Sequence, residues 1–167
     1  MKKYVNSIFL LFLCIILLNG CAGKETAYSR TDFCFDTAVT ITIYDNAGNA
    51  EEVNTLLDET IDLCKKYDTM FRRTSEGSDI WNINHSGGEW TSVSDETILL
   101  LQSALDYCEL TGGEIDITIA PVKDLWDFSG KEDVKMPAYA DIEEALTHVN
   151  YSAVEIQGSK VRLSDPE

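Results

Sequence analysis

The 167 residues are enough for one domain or a large piece of one. A chain that is 44% hydrophobic and 25% charged buries a core, which excludes disorder, a collagen-like repeat and a disulfide-packed miniprotein. With 13 Lys and Arg against 29 Asp and Glu the net charge is −16, so the basic footprint that nucleic acid or anionic lipid requires is missing.

Any attachment to a membrane must then rest on something other than charge, and the amino terminus supplies it. Ile8 to Leu18 is an unbroken apolar run of eleven behind Lys2 and Lys3. A spanning helix needs roughly 20 apolar residues, so this run reads as a signal-peptide core. It ends in Leu18-Asn19-Gly20-Cys21, which resembles a bacterial lipobox, where the cysteine thiol takes a diacylglyceryl group before cleavage. The other reading is an ordinary secretory cleavage site with an incidental cysteine. The expected organisation is a lipoprotein signal peptide over 1–20, a lipidated tether over 21–32 and one domain over 33–167. The expected location is the extracytoplasmic side of a bacterial cell membrane, with the lipid on Cys21. Removal of Lys2 and Lys3 with the signal takes the charge from −16 to −18. Cys34, Cys64 and Cys108 remain, an odd number without CxxC spacing, so neither a disulfide framework nor a zinc site is indicated.

Gly23 to Ser29 reads as a polar tether. Phe33 to Tyr44, rich in threonine and β-branched residues, predicts a strand, closed by a turn at Asp45-Asn46-Ala47-Gly48. Val53, Leu56, Leu57, Cys64, Tyr67 and Phe71 recur at helical spacing, with carboxylates on the other faces. Arg72 to Gly88 reads as a long loop, of the kind that often carries function. Glu89-Trp90-Thr91 predicts a short strand. Ser94 is a candidate N-cap for a helix through Ile98, Leu101, Leu105 and Cys108, stopped by Gly112-Gly113. Ile142, Ala145, Leu146 and Val149 predict a third amphipathic helix, and 153–163 a terminal hairpin about Gly158-Ser159. The fold class expected is α+β, a mixed or antiparallel sheet packed by amphipathic helices.

The densest chemistry lies between Gly112 and Phe128. Ile115, Ile117 and Ile119 alternate with Asp116 and Thr118, as on a strand with one polar face. A carboxylate there suits hydrogen bonds from sugar hydroxyls or an amino edge, and an edge strand facing water explains the pattern as well. Arg72-Arg73 either meets a phosphate or answers carboxylates on the preceding helix. His85 and His148 stand without a motif around them and read as surface histidines. No GxGxxG and no Walker loop is present.

Taken in order, Phe35-Asp36-Thr37, the run from Phe71-Arg72 through Ser75-Glu76 to Ile83-Asn84, and Gly112-Gly113-x-x-Asp116-x-Thr118-x-x-Pro121 with Leu125-Trp126-x-Phe128 resemble the ApbE family. The resemblance covers about residues 33–163, and the last block is its specific part. It implies an FAD:protein FMN transferase: FMN moves from FAD, with Mg²⁺, to a threonine of an acceptor flavoprotein of an electron-transfer system, and AMP leaves. It implies flavin contacts at Phe35, where the family often has Met; at Phe71, often Tyr; and at Glu114, Ile115 and Asp116, where the family pattern reads Ala-Phe-Asp. The aspartate is kept, while Glu114-Ile115 removes an aromatic and adds a charge.

Members of that family are about twice this length. The resemblance therefore implies the amino-terminal half of the enzyme, inactive alone, with the Mg²⁺ ligands and the activating groups in the other half. No catalytic or metal residue is assigned within these residues. The competing readings are a flavin- or nucleotide-binding surface lipoprotein without chemistry, and a purely structural lipoprotein.

Overall fold

The computed structural model describes residues 26–45, 49–126 and 136–165. The signal peptide, Cys21, the turn through 46–48 and Phe128 lie outside them. The chain falls into two compact units, one up to Leu63 and one from Cys64 onward.

In the first unit, strand β1 (Thr26–Cys34) pairs antiparallel with β2 (Thr37–Asp45), from Thr26 opposite Asp45 to Cys34 opposite Thr37. The single strand expected over Phe33–Tyr44 is thus a hairpin, and the stretch read as a tether is already strand from Thr26. Hydroxyls pair across the two strands, Ser29 to Thr42 at 2.9 Å and Thr31 to Thr40 at 2.8 Å. The turn escapes a sequence reading because it has the wrong residues for its geometry. A two-residue hairpin turn with both φ angles positive favours Asn-Gly. Here Phe35 and Asp36 hold φ at 54° and 56°.

Helix α1 (Ala50–Phe71) follows the predicted spacing. Asn49 caps it, accepting from the Glu52 amide and donating to the Glu52 carboxylate. Val53, Leu57 and Ile61, four residues apart, are its buried stripe in this unit, while Leu56 is exposed. Arg30 of β1 grips Asp58 of α1 with two hydrogen bonds of 2.6 and 3.0 Å. Those bonds hold the Asp58 carboxyl below its ordinary range.

In the second unit, Tyr67 and Phe71 stack at the end of α1. The expected loop contains helix α2 (Asp79–Asn84), capped by the Ser78 hydroxyl, which accepts from the Trp81 amide. Six residues are too few for a helical period to register in a sequence. Strand β3 (Thr91–Ser92) begins at the end of the predicted one, and helix α3 (Asp95–Leu110) starts at the Ser94 cap as expected. It ends in a Schellman motif: Gly113 N–H donates to the Cys108 carbonyl at 2.9 Å and Gly112 N–H to Glu109 at 3.0 Å. Gly112 sits at φ 64°, a conformation that costs a side chain-bearing residue.

The short helix α4 (Ala120–Lys123), α5 (Tyr139–Leu146) and a 3₁₀ turn (Tyr151–Ala153) lead to strands β4 (Val154–Gln157) and β5 (Lys160–Leu163). The terminal hairpin is as predicted. The strand order β3-β5-β4 places β5 centrally, and Val161, opposite Thr91 and Ile156, is fully buried. Val161 packs with Ile83 of α2 and Leu101 of α3 as the core, flanked by Ile80, Ile98, Ile117 and Leu163. The fold is α+β, small antiparallel sheets with helices, as expected.

The left-handed backbone at Phe35 sets a stability expectation. A residue with a Cβ pays about 1–2 kcal/mol there, and asparagine pays less. Phe35→Asn is expected to stabilise the chain by about 1 kcal/mol, read as a higher urea midpoint at unchanged slope.

Candidate functional site

A cavity of about 660 Å³ opens in the second unit, bounded by α2, α3, α4 and strands β4 and β5. Its floor is the core itself: Ile83, Leu101 and Val161 line it, with Ile80, Ile117 and Pro121 beside them. Volume and apolar lining are those of a small-molecule pocket. Polar groups enter from Arg73, Asn84, His85, Thr118, Asp124, His148 and Asp165.

Two carboxylates that do not line this cavity fix its walls. Asp79, the first residue of α2, accepts from the Ser94 amide at 2.9 Å and from the Ser94 and Thr97 hydroxyls at 2.6 Å each. The residue that caps α3 is thereby tied to the start of α2. Burial alone would raise the Asp79 pKa, but the Ser94 and Thr97 hydrogen bonds outweigh it and hold the carboxyl below its ordinary 3.8.

Asp116 does the same on the opposite wall. One oxygen accepts from the Thr118 amide at 2.8 Å and the Thr118 hydroxyl at 2.6 Å, the other from the Tyr151 amide at 2.9 Å. The Thr118 hydroxyl in turn accepts from the Asn150 amide at 2.8 Å. These bonds tie the loop after α3 to the 3₁₀ turn before β4. They also overturn the strand expected at 115–119, where the chain runs in turns. Short polar side chains that bond the backbone two residues on compete with sheet pairing, and here they win. Ile117 packs on the core, whereas Ile115 and Ile119 are exposed.

The cations of the expected loop are engaged internally. Arg72 meets Asp68, one turn back on α1, with two contacts of 2.7 Å. Arg73 forms a two-pronged pair with Asp124, just past α4. The alternative in which the arginines answer carboxylates is the one observed, with Arg73 finding its partner far along the chain. His148 Nδ1 lies 3.3 Å from Asp165, and the His85 ring stacks on Trp81 with centroids 4.1 Å apart.

The residues named for flavin contact are scattered. Phe35 belongs to the first unit and is half exposed; Phe71 ends α1; Glu114 and Ile115 are exposed; Asp116 is committed to the bonds above. None lines the cavity. Part of the lining comes from Ile80, Ile83 and Asn84 and from Ile117, Thr118, Ala120 and Pro121, inside the second and third motif blocks, with His85 just past the second. A sequence reading passes over His85 and His148 because only tertiary folding brings the chain's two histidines to one cavity. Among the described residues no three His, Cys, Asp or Glu side chains converge to hold a metal ion.

Asp79 carries a pH-dependent prediction. Its folded pKa is depressed, so its stabilisation is full above the unfolded value and is lost as pH falls through the folded one. Asp79→Ala leaves the Ser94 and Thr97 donors without their acceptor and should cost about 1–3 kcal/mol at pH 7. The gap between wild type and this variant, measured by urea unfolding, should narrow below about pH 4.

Comparison with known proteins gives this geometry a lineage. The model of the ApbE family matches residues 35–167. The FAD:protein FMN transferase of Vibrio cholerae is 25% identical over 161 residues, covering 92% of this chain and 46% of that protein. The crystal structure of the ApbE protein from Thermotoga maritima aligns with a TM-score of 0.72 at 30% identity, over 83% of this chain and 45% of that one. The apo flavinyl transferase ApbE of Pseudomonas stutzeri, at 19% identity and a TM-score of 0.70, shares the fold over 85% of this chain and 45% of its own. The chain thus spans about half the length of the relatives it matches, and it belongs to the ApbE family.

Proposed function

We propose that these residues are the amino-terminal part of an FAD:protein FMN transferase and that the cavity above holds part of the FAD substrate. The observation that carries this reading is the meeting of two motif blocks, through Ile80–Asn84 and Ile117–Pro121, on one apolar cavity in a chain of this family. In the transfer a threonine hydroxyl of the acceptor flavoprotein attacks the FMN phosphorus of FAD. A Thr O–P bond forms, the pyrophosphate P–O bond breaks, the hydroxyl proton is lost and AMP leaves.

The chain's own residues contribute binding and shape. Ile80, Ile83, Leu101 and Pro121 offer an apolar bed for a planar ring, and the bonds of Asp79 and Asp116 hold that bed in place before ligand arrives. Such preorganisation is what a positioning site requires. Phe35, Phe71, Glu114, Ile115 and Asp116 remain proposed flavin contacts of the whole enzyme. The strained backbone at Phe35 favours its role, since left-handed non-glycine residues gather at functional sites. Asp116 would act through the loop it shapes. The Mg²⁺ of the transfer would take its ligands from outside the described residues and would supply charge neutralisation at the phosphates.

A second reading is flavin binding without transfer. The engagement of Arg73 with Asp124 favours it for these residues taken alone, because these two charged groups of the cavity wall already satisfy each other. Titration of the purified full chain with FAD, followed by flavin fluorescence, tests both. Saturable binding that Ala104→Trp weakens at least tenfold supports the cavity, since Ala104 lines it without belonging to the core. Absence of saturable binding refutes the flavin site. Release of AMP on adding Mg²⁺ and an acceptor domain separates transfer from binding alone.

The proposed location is the extracytoplasmic face of the membrane, through lipid on Cys21. Cys21→Ser is expected to abolish incorporation of labelled palmitate and to release the protein from the membrane fraction. Retention of label would assign the lipid elsewhere.

A further inference from the structure

His85 ends α2 as its C-cap and lines the cavity. Its Nδ1 lies 2.8 Å from the Trp81 carbonyl oxygen, four residues back. A carbonyl only accepts, so Nδ1 carries the hydrogen, and in the neutral ring Nε2 keeps a lone pair. Two further restraints fix where that lone pair sits. The ring lies against the Trp81 indole at an interplanar angle of 16°, and the His85 amide donates to the same Trp81 carbonyl at 3.0 Å. Nε2 has no partner among the described residues, whereas Arg73 and Asp124 satisfy each other and His148 faces Asp165.

We propose that His85 determines ligand specificity in this cavity by accepting, at Nε2, a hydrogen bond from a ring or exocyclic N–H of a planar heterocycle. The proposal rests on the flavin-binding reading above. While the cavity is open, water satisfies Nε2. A ligand that covers the mouth removes that water, and the nitrogen must then find a donor or stay unsatisfied. His85 is exposed in the free chain, and an acceptor that the ligand itself buries rejects analogues lacking the matching donor far more strongly than an apolar wall rejects a change of size. FAD carries two donors of the required kind, the imide N–H of its flavin ring and the exocyclic amine of its adenine. Both are edge donors on flat rings that the apolar bed could receive.

The test pairs a change in the protein with a change in the ligand. The purified full chain, its His85→Ala and His85→Gln variants, and thermal melts to confirm folding are used throughout. FMN is compared with N3-methyl-FMN, and AMP with N6,N6-dimethyl-AMP, by equilibrium titration. In one of the two pairs, methylation is expected to weaken wild-type binding about tenfold while leaving His85→Ala binding unchanged. His85→Gln, which can offer an amide oxygen near the Nε2 position, should recover part of the discrimination. The pair that responds identifies the source of the donor. Equal losses on methylation in wild type and His85→Ala, for both pairs, overturn the proposal, as does an unaltered affinity of a folded His85→Ala for every ligand. If wild type binds none of the parent ligands, the flavin reading itself falls and takes this proposal with it.

Discussion

The carboxylate of Asp116 organises the wall that gives the cavity its family character. It gathers Thr118 and Tyr151, residues 33 positions apart, by accepting from two backbone amides and one hydroxyl, and Thr118 passes the restraint on to Asn150. Without it the segment after the Gly112-Gly113 stop would have no local reason to fold back, since its backbone joins no sheet. Ile117 and Pro121 reach the cavity because this loop is pinned on one side to the 3₁₀ turn that leads into β4. Asp79 repeats the device on the other side, where three donors from the start of α3 hold α2 against it. Carboxylates spent on backbone and hydroxyl donors are what make the apolar floor a shaped surface.

This division of labour changes how acidic residues in such a chain should be read. A net charge of −16 suggests metal chelation or electrostatic steering at first sight. The acidic groups best connected in the second unit, however, satisfy donors inside the fold. Others neutralise nearby cations, as Asp68 does for Arg72, Glu96 for Lys66 and Glu155 for Arg162. Arg162 also lies over the Trp90 ring at 4.8 Å, so even this surface cation has two partners.

Where local chemistry decides structure, the sequence was legible. The Ser94 cap and the Gly112-Gly113 stop bracket α3, the spacing of α1 survives nearly intact, and the two-residue turn at Gly158-Ser159 forms the terminal hairpin. Three features were not legible, each for its own reason. The turn at Phe35-Asp36 has neither glycine nor asparagine to announce it. Helix α2 is too short to show a period. The alternation at 115–119 imitates a strand because Asp116 and Thr118 are spaced by two, the same spacing that lets one cap the other. The cavity takes Ile83, Asn84, Thr118 and Pro121 from motif positions, while Leu101, His148 and Val161 lie outside the blocks and are joined to them only by tertiary packing.

Ile83, Leu101 and Val161 are at once the core of the second unit and the floor of its cavity. In most pockets the binding surface is a layer laid over a separate interior, so affinity and foldedness can drift apart under mutation. Here one set of side chains serves both, and a change that reshapes the floor is felt as a loss of packing. Under the proposed function, evolution toward a different ligand would have to work through the rim, at positions such as Asn84, His85, Ala104 and His148, leaving the floor nearly fixed. Variation among relatives should accordingly be concentrated on that rim, with the three floor positions confined to aliphatic residues of similar volume.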